Sequence, residues 1–333
     1  MTVAATAPPQ AARLHRLPDG SWHRIEIVFW LLPVAAFFLL PGYLVLGSQI
    51  LIVALFALSL DLILGYAGIV SLGHAAFFGI GAYAAGLLAA HGWGEPLSGL
   101  VLAGAMAAVA GFLVSFLVVR GEDLARLMVT LGIGLLLYEA ANKAAFITGG
   151  VDGLSGVAMW KLLGVFQFDL GGKVAYLYSL AVLFLLFVLM RRLVNSPFGL
   201  SLRGLREGGK RMPAIGAPVR KRQVLIFTIA ACVAGIAGGL LAQTTQFVGL
   251  EVLGFPRSAE LLIMLVLGGA GRLYGALIGT TLFMVAQEYL SGVNPVYWQF
   301  WIGLLLVVVV LFARGGVMGA AEALCTRHWR KGK

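Results

Sequence analysis

Ten apolar stretches, each near the length that crosses a bilayer, dominate this sequence. They fall at about 27–46, 49–67, 72–90, 97–119, 126–147, 174–194, 223–245, 257–271, 273–291 and 296–313. A helix needs roughly 20 apolar residues to span the hydrocarbon. Only 11% of the 333 residues are charged and 60% are hydrophobic, whereas soluble domains carry roughly 25% charged residues. Lipid is therefore the solvent for most of the chain, and the expected fold is an all-α polytopic membrane protein of about ten transmembrane helices. The 45 glycines fit this reading, because small residues let membrane helices approach closely.

Two of the stretches are interrupted. The third abuts Gly65, Gly68 and Gly73, and the eighth abuts Gly268, Gly269 and Gly271. Broken or re-entrant helices account for such turns where the backbone is buried or lines a cavity. The glycines near 65–81 and 268–279 share a partial pattern. An internal repeat explains it, and so does ordinary helix packing.

Loop charge orients the chain. With ten spans, 20 of the 24 basic residues fall on the side shared by both termini, nine of them in segment 191–222. Only Lys143, Lys161, Lys173 and Arg257 fall opposite. The expected organisation is a cytoplasmic segment 1–26, a transmembrane domain 27–313 with a long basic cytoplasmic loop 195–222, and a basic cytoplasmic tail 314–333. Residues 1–26 lack the short apolar core and small-residue site of a cleaved signal. Within the long loop, 198–207 and 210–216 are short, basic and compatible with helix. Charge alone fits a solvated loop as well as a docking element for a soluble partner.

Several chemistries find no support. No G-x-x-x-x-G-K-[ST] phosphate loop occurs, and neither does H-E-x-x-H, G-x-S-x-G or CxxC. Cys232 and Cys325 stand apart from any second ligand, so neither a metal nor a cofactor is expected. Polar residues within the apolar stretches are few: Asp61, His74, Glu139, Asn142, Gln243, Gln246, Glu260, Gln287 and Glu288. A charge in hydrocarbon costs at least about 2.5 kcal/mol, so these face the bundle or a cavity. Hydrogen bonding between helices and contact with a transported substrate both remain open for each.

Leu58–Gly86, LSLDLILGYAGIVSLGHAAFFGIGAYAAG, resembles the permease subunits of branched-chain amino acid ABC importers, particularly the LivM-like branch. TGGVDGLSG (148–156), NSPFGLSLRGLRE with IGAPVRKRQVLIFTIAACVAGIAGGLLA, and ELLIMLVLGGAGRLYGALIGTTL agree in the same order. The agreement runs from about 45 to 317. The resemblance implies a type II-like importer permease in a bacterial inner membrane. It implies a paralogous permease subunit, two cytoplasmic ATP-binding subunits and a periplasmic substrate-binding protein as partners. Branched-chain amino acids or a related small carboxylate would be the cargo, moved by alternating access. The chain itself would not be an enzyme. A urea or amide permease of the same superfamily is the near alternative, and an ion-coupled secondary transporter the distant one. The latter needs a carboxylate relay, and Asp61, Glu139 and Glu260 are scattered in sequence.

The same resemblance makes the long basic loop the ATPase-coupling segment, with Arg203, Arg206, Glu207 and Gly216 as its residues. Arg206 and Glu207 are expected to reach across to the ATPase, and Gly216 to serve as a stop or a close approach. The family's run of alanines is replaced here by Gly208, Gly209 and Pro213, which weaken helix continuity. Ser71, His74, Tyr83, Glu139 and Asn142 are the translocation-pathway candidates.

Overall fold

The computed structural model describes residues 24–121, 123–169, 171–209, 211–295, 297–312 and 315–319. Most of the N-terminal segment and of the basic tail, with Cys325, lies outside these residues. The helices are α1 (Arg24–Leu39), α2 (Leu44–Asp61), α3 (Ala75–Ala90), α4 (Pro96–Val118), α5 (Asp123–Lys143) and α6 (Ala145–Thr148). They continue with α7 (Lys173–Val194), α8 (Pro197–Gly208), α9 (Val219–Thr245), α10 (Phe255–Gly268), α11 (Leu273–Val293) and α12 (Trp298–Phe312). Each of the ten apolar stretches carries a helix, and α6 and α8 are the additional ones. Among the described residues, β-pairing is limited to two isolated bridges.

Five segments are individually long and apolar enough to cross a membrane: Pro41–Tyr66, Pro96–Val118, Leu124–Lys143, Lys173–Val194 and Val219–Thr245. Helices α10 and α11 are bent by 114° at their junction and make a sixth if they form one span, while Glu26–Leu39 and Ala75–Ala90 are shorter apolar helices. The two interrupted stretches are breaks in the structure. A turn of π-helix, Leu62–Tyr66, ends α2, and residues 67–74 run without α-helix into α3.

Small residues decide which helix faces meet. The buried residues of α4 include Gly99, Ala103, Gly104, Ala107 and Gly111, spaced three, four and one apart on one stripe. That stripe lies on Ala231, Gly235, Ile236 and Gly239 of α9. The opposite face of α4 exposes Val101, Val109, Leu113 and Leu117. In lipid, apolar side chains gain little by leaving the bilayer, so close backbone packing selects the interface. Helix α9 packs its other side on α3, where Gly81 touches Gly235 and Gly238 touches Phe78. Helix α2 is buried on every side from Leu51 to Asp61, as expected of a helix apolar all round. Its Phe56 ring packs 4.4 Å from Phe78.

Polar links cross-tie the bundle. Tyr178 of α7 donates to Gln243 Oε1 of α9 at 3.0 Å, and Gln243 Nε2 donates to the Pro96 carbonyl at 2.7 Å. Interhelical bonding is thus the role of Gln243. At one end of the bundle, TGGVDGLSG forms a cap. Thr148 Oγ1 bonds the Ala141 carbonyl at 2.6 Å, and Leu154 pairs with Val248. Gly149, Gly150, Gly153 and Gly156 all have positive φ, a conformation that excludes most other residues. At the other end of the bundle lies α8.

Candidate coupling site and translocation pathway

Helix α8 begins at a built stop in the chain. Ser196 accepts from the Gly199 amide at 3.4 Å, and Pro197 occupies the first turn, a position where its missing N–H costs nothing. Gly199, Leu202 and Leu205 are buried, while Leu200, Arg206 and Glu207 are exposed. The helix therefore has one face seated on the bundle and one face open. It ends at Gly208, as the double glycine predicts. A short 3₁₀ turn, Met212–Ile215, follows and stops at Gly216 with φ +77°. Nothing lies within 4 Å of where a Gly216 side chain would begin. Gly216 is thus a conformational stop, with open space beside it within this chain.

The seat of α8 is made of both helix breaks. Arg206 Nη1 donates to the Gly65 carbonyl, and the Arg203 guanidinium lies 5.5 Å from the Tyr66 ring centroid, within cation–π range. Gly65 has no room for a side chain because the Gly271 backbone lies against it. The two glycine-rich breaks are therefore in direct contact. Asp61, wholly buried at the end of α2, accepts from the Gly271 amide at 2.6 Å. The Arg206 guanidinium also lies beside Gly271. Asp61, Gly65, Gly271 and Arg206 thus form one cluster joining α2, the α10–α11 junction and α8. The sequence reading sends Arg206 outward to a partner. The structure instead engages its guanidinium within the chain, and of these two residues Glu207 alone has no partner among the described residues.

The five pathway candidates do not form one site. His74 and Ser71 sit in the first break, each about 1% exposed. His74 Nε2 lies 2.8 Å from Ser59 Oγ, and the ring stacks on Phe56 with centroids 5.6 Å apart. The same break is pinned by Thr130 Oγ1, which accepts from the Leu72 amide at 3.3 Å, and by Ser258 Oγ, which accepts from the Ala75 amide at 2.9 Å. His74 and Ser71 therefore belong to a buried joint between α2, α3, α5 and α10. Tyr83 is nearly buried farther along α3, with Tyr138 and Glu251 within electrostatic reach. Glu139 lies on an exposed face of α5 and pairs with Lys143 at 4.0 Å, its side chain 55% exposed. Asn142 is partly exposed on the same helix.

A cavity that sequence reasoning missed opens at the end opposite α8. It has a volume of about 470 Å³ and lies among α2, α9, α10 and α11. Glu251, Arg257, Glu260, Gln287, Glu288 and Gln49 carry its polar groups. Arg257 and Glu260 pair at 3.3 Å. The available signal was the group of polar residues in late apolar stretches, but nothing in their spacing shows that they share a wall.

Comparison with known proteins decides the family. Residues 43–310 match the family described as branched-chain amino acid transport system / permease component. The chain belongs to this family. Among relatives, the high-affinity branched-chain amino acid transport system permease protein LivM of Escherichia coli is 30% identical over 328 residues, covering 90% of this chain and 76% of that protein. The probable branched-chain amino acid transport permease protein LivM of Methanocaldococcus jannaschii is 25% identical, covering 79% of this chain and 89% of its own length. The L-arabinose ABC transporter permease protein AraH of Azospirillum brasilense is 30% identical over 208 residues, 58% of this chain and 59% of that one. No solved structure matches the chain. The protein is a multi-pass membrane permease component, and its helical bundle is that of an ABC importer permease.

Proposed function

We propose that this chain is one half of the translocation pathway for branched-chain amino acids or a related small zwitterion in a bacterial inner membrane. Both termini and α8 face the cytoplasm. A paralogous permease completes the pathway, two separate ATP-binding subunits dock below, and a periplasmic binding protein delivers cargo to the opposite face. The observation that carries this reading is the position of α8: an amphipathic helix with an open outer face, seated directly on both helix breaks. A partner that moves α8 moves the joints of α2–α3 and α10–α11 together. Glu207 contacts the ATPase, Arg203 and Arg206 hold α8 to the joint, and Gly216 ends the docking segment. Ser71 and His74 lie in the moving joint, and Tyr83, Glu139 and Asn142 line the route on the delivery side.

Cargo class follows from the cavity, since relatives of similar sequence are named for amino acids and for a sugar alike. Glu251, Glu260 and Glu288 offer acceptors for an ammonium, and Arg257 offers a donor fork for a carboxylate. A neutral sugar or urea has no use for this set of charges, whereas a zwitterion matches both signs. The charged groups therefore favour a zwitterion. An ion-coupled transporter is disfavoured, because Asp61, Glu139 and Glu260 occupy three separate places: the α8 seat, the α5 surface and the far cavity. The test is competition for uptake in cells carrying the complete system. Excess leucine, isoleucine or valine is expected to block labelled leucine entry, while arabinose and urea leave it unchanged. Arabinose or urea uptake that leucine does not compete would overturn the cargo assignment.

A further inference from the structure

A second groove, unrelated to the route above, lies between α4 and α9 at the same end of the bundle as α8. It has a volume of about 570 Å³ and combines two chemistries. Its wall is apolar: Phe112 and Phe116 of α4 and Leu225 of α9 are 44%, 45% and 49% exposed. The two phenylalanine rings pack edge to face with centroids 4.9 Å apart. Its rim is basic, made by Arg120 just past the end of α4 and by Arg220 and Lys221 in the first turn of α9. All three are exposed.

These cations differ from the other paired bases. Arg191 pairs with Glu26, Arg257 with Glu260 and Lys143 with Glu139. Arg120, Arg220 and Lys221 make no ion pair among the described residues. Arg220 and Lys221 stand in the first turn of α9, whose partial positive charge adds to theirs, and Arg120 follows the C-terminus of α4. The inward preference of positive charge explains cations on this side of the membrane. It does not explain three of them around the mouth of one apolar groove.

We infer that this groove binds one anionic phospholipid, with the headgroup phosphate on Arg120, Arg220 and Lys221 and an acyl chain along Phe112, Phe116 and Leu225. Basic pockets between membrane helices on the cytoplasmic side suit such headgroups. The tight α4–α9 seam prepares the place. Gly111 lies against Ala231, which brings the helices close above the groove, and larger side chains such as Phe112 and Phe116 take over toward the basic end. Neither chemistry suffices alone: a free phosphate leaves the apolar wall wet, and a zwitterionic lipid adds a choline that the cations repel.

The experiment is native mass spectrometry of the purified full-length protein, titrated separately with dioleoylphosphatidylglycerol, dioleoylphosphatidylcholine and inorganic phosphate. A single phosphatidylglycerol adduct is expected to persist where phosphatidylcholine is lost, with phosphate competing weakly. Replacing Arg120, Arg220 and Lys221 together by alanine is expected to weaken that adduct about a hundredfold, roughly fivefold per cation. Because the three side chains are exposed, the variant should elute like wild type in size-exclusion chromatography. A second variant, Thr228→Trp, fills the groove with the cations intact and should also lose the adduct. Equal retention of both lipids, or an undiminished adduct in either variant, would overturn the inference. So would a triple variant that keeps the lipid but loses its ATPase subunits, which would make the rim a protein dock.

Discussion

Arg206→Ala is expected to leave the protein inserted and still bound to its ATPase subunits, yet to lower ATP-driven uptake at least tenfold. Arg206 lies at the meeting of three elements. It donates to the Gly65 carbonyl of the first break, its guanidinium lies beside Gly271 of the second, and its backbone belongs to α8. Asp61 in turn holds the Gly271 amide of the second break at 2.6 Å. A hydrogen bond to a charged group contributes about 1.5–3 kcal/mol, and part of that is lost here to solvent because Arg206 is partly exposed. The bundle, with its buried α2 and α9, tolerates such a loss. Transmission does not, because alanine leaves α8 tied to the joint only by Arg203 over the Tyr66 ring and by apolar contacts. Arg206→Lys keeps the charge without the planar fork and should fall between. Glu207→Arg alters only the open face and should lose ATPase association itself. Uptake and pull-down measured together separate the two. Wild-type uptake by Arg206→Ala would show that the polar seat transmits nothing.

Gly238→Val is expected to abolish recovery of folded protein, whereas Gly132→Ala should be neutral or mildly stabilising. A side chain on Gly238 meets the Phe78 carbonyl and the backbone of Ala82, neither of which can rotate aside. Overpacking costs typically 1–3 kcal/mol where side chains can adjust, and a backbone collision in the α3–α9 seam exceeds that range. Gly132 of α5 has nothing within 4 Å of the new carbon. Alanine there removes glycine's helix penalty of roughly 0.5–1 kcal/mol. The measurement is the yield of monodisperse protein in mild detergent and its thermal aggregation midpoint. A well-folded Gly238→Val protein would contradict the packing described for this seam.

Helix positions were legible in the sequence because apolar length alone marks a membrane helix. The long basic loop was legible in part. The stretch 198–207 read as compatible with helix, and Gly208 and Gly209 marked its end, whereas the second stretch, 210–216, holds only the 3₁₀ turn Met212–Ile215. The seat of α8 was not legible. The bond between Asp61 and Gly271 joins residues 210 positions apart, and no periodicity links an aspartate in one stretch to a glycine amide in another. The two glycine-rich segments could be read as breaks. That they touch each other follows from tertiary packing, which lets Gly65 and Gly271 meet backbone to backbone. Arg206 was assigned to an outside partner from the family resemblance of the loop; its internal acceptor, the Gly65 carbonyl, lies in the last turn of the helix that ends at Tyr66, where carbonyls have no partner within the helix. Ser71 and His74 read as pathway residues from their polarity, while the structure assigns His74 a buried partner in Ser59. The far cavity was missed because Glu251, Arg257, Glu260 and Glu288 come from three separate elements.

We propose that separate ATPase subunits engage this permease at α8. Site-directed cross-linking in native membranes tests it most directly, in a background with Cys232 and Cys325 replaced by alanine. Leu200→Cys places a thiol on the open face of α8, and Ser155→Cys places one in the exposed cap at the opposite end. With a short thiol-to-amine cross-linker, Leu200→Cys is expected to capture an ATP-binding subunit, with a yield that changes on adding ATP. Ser155→Cys is expected to capture none. An ATPase cross-link from Ser155→Cys, or none from Leu200→Cys in a complex still active in uptake, would contradict both the orientation and the coupling role of α8.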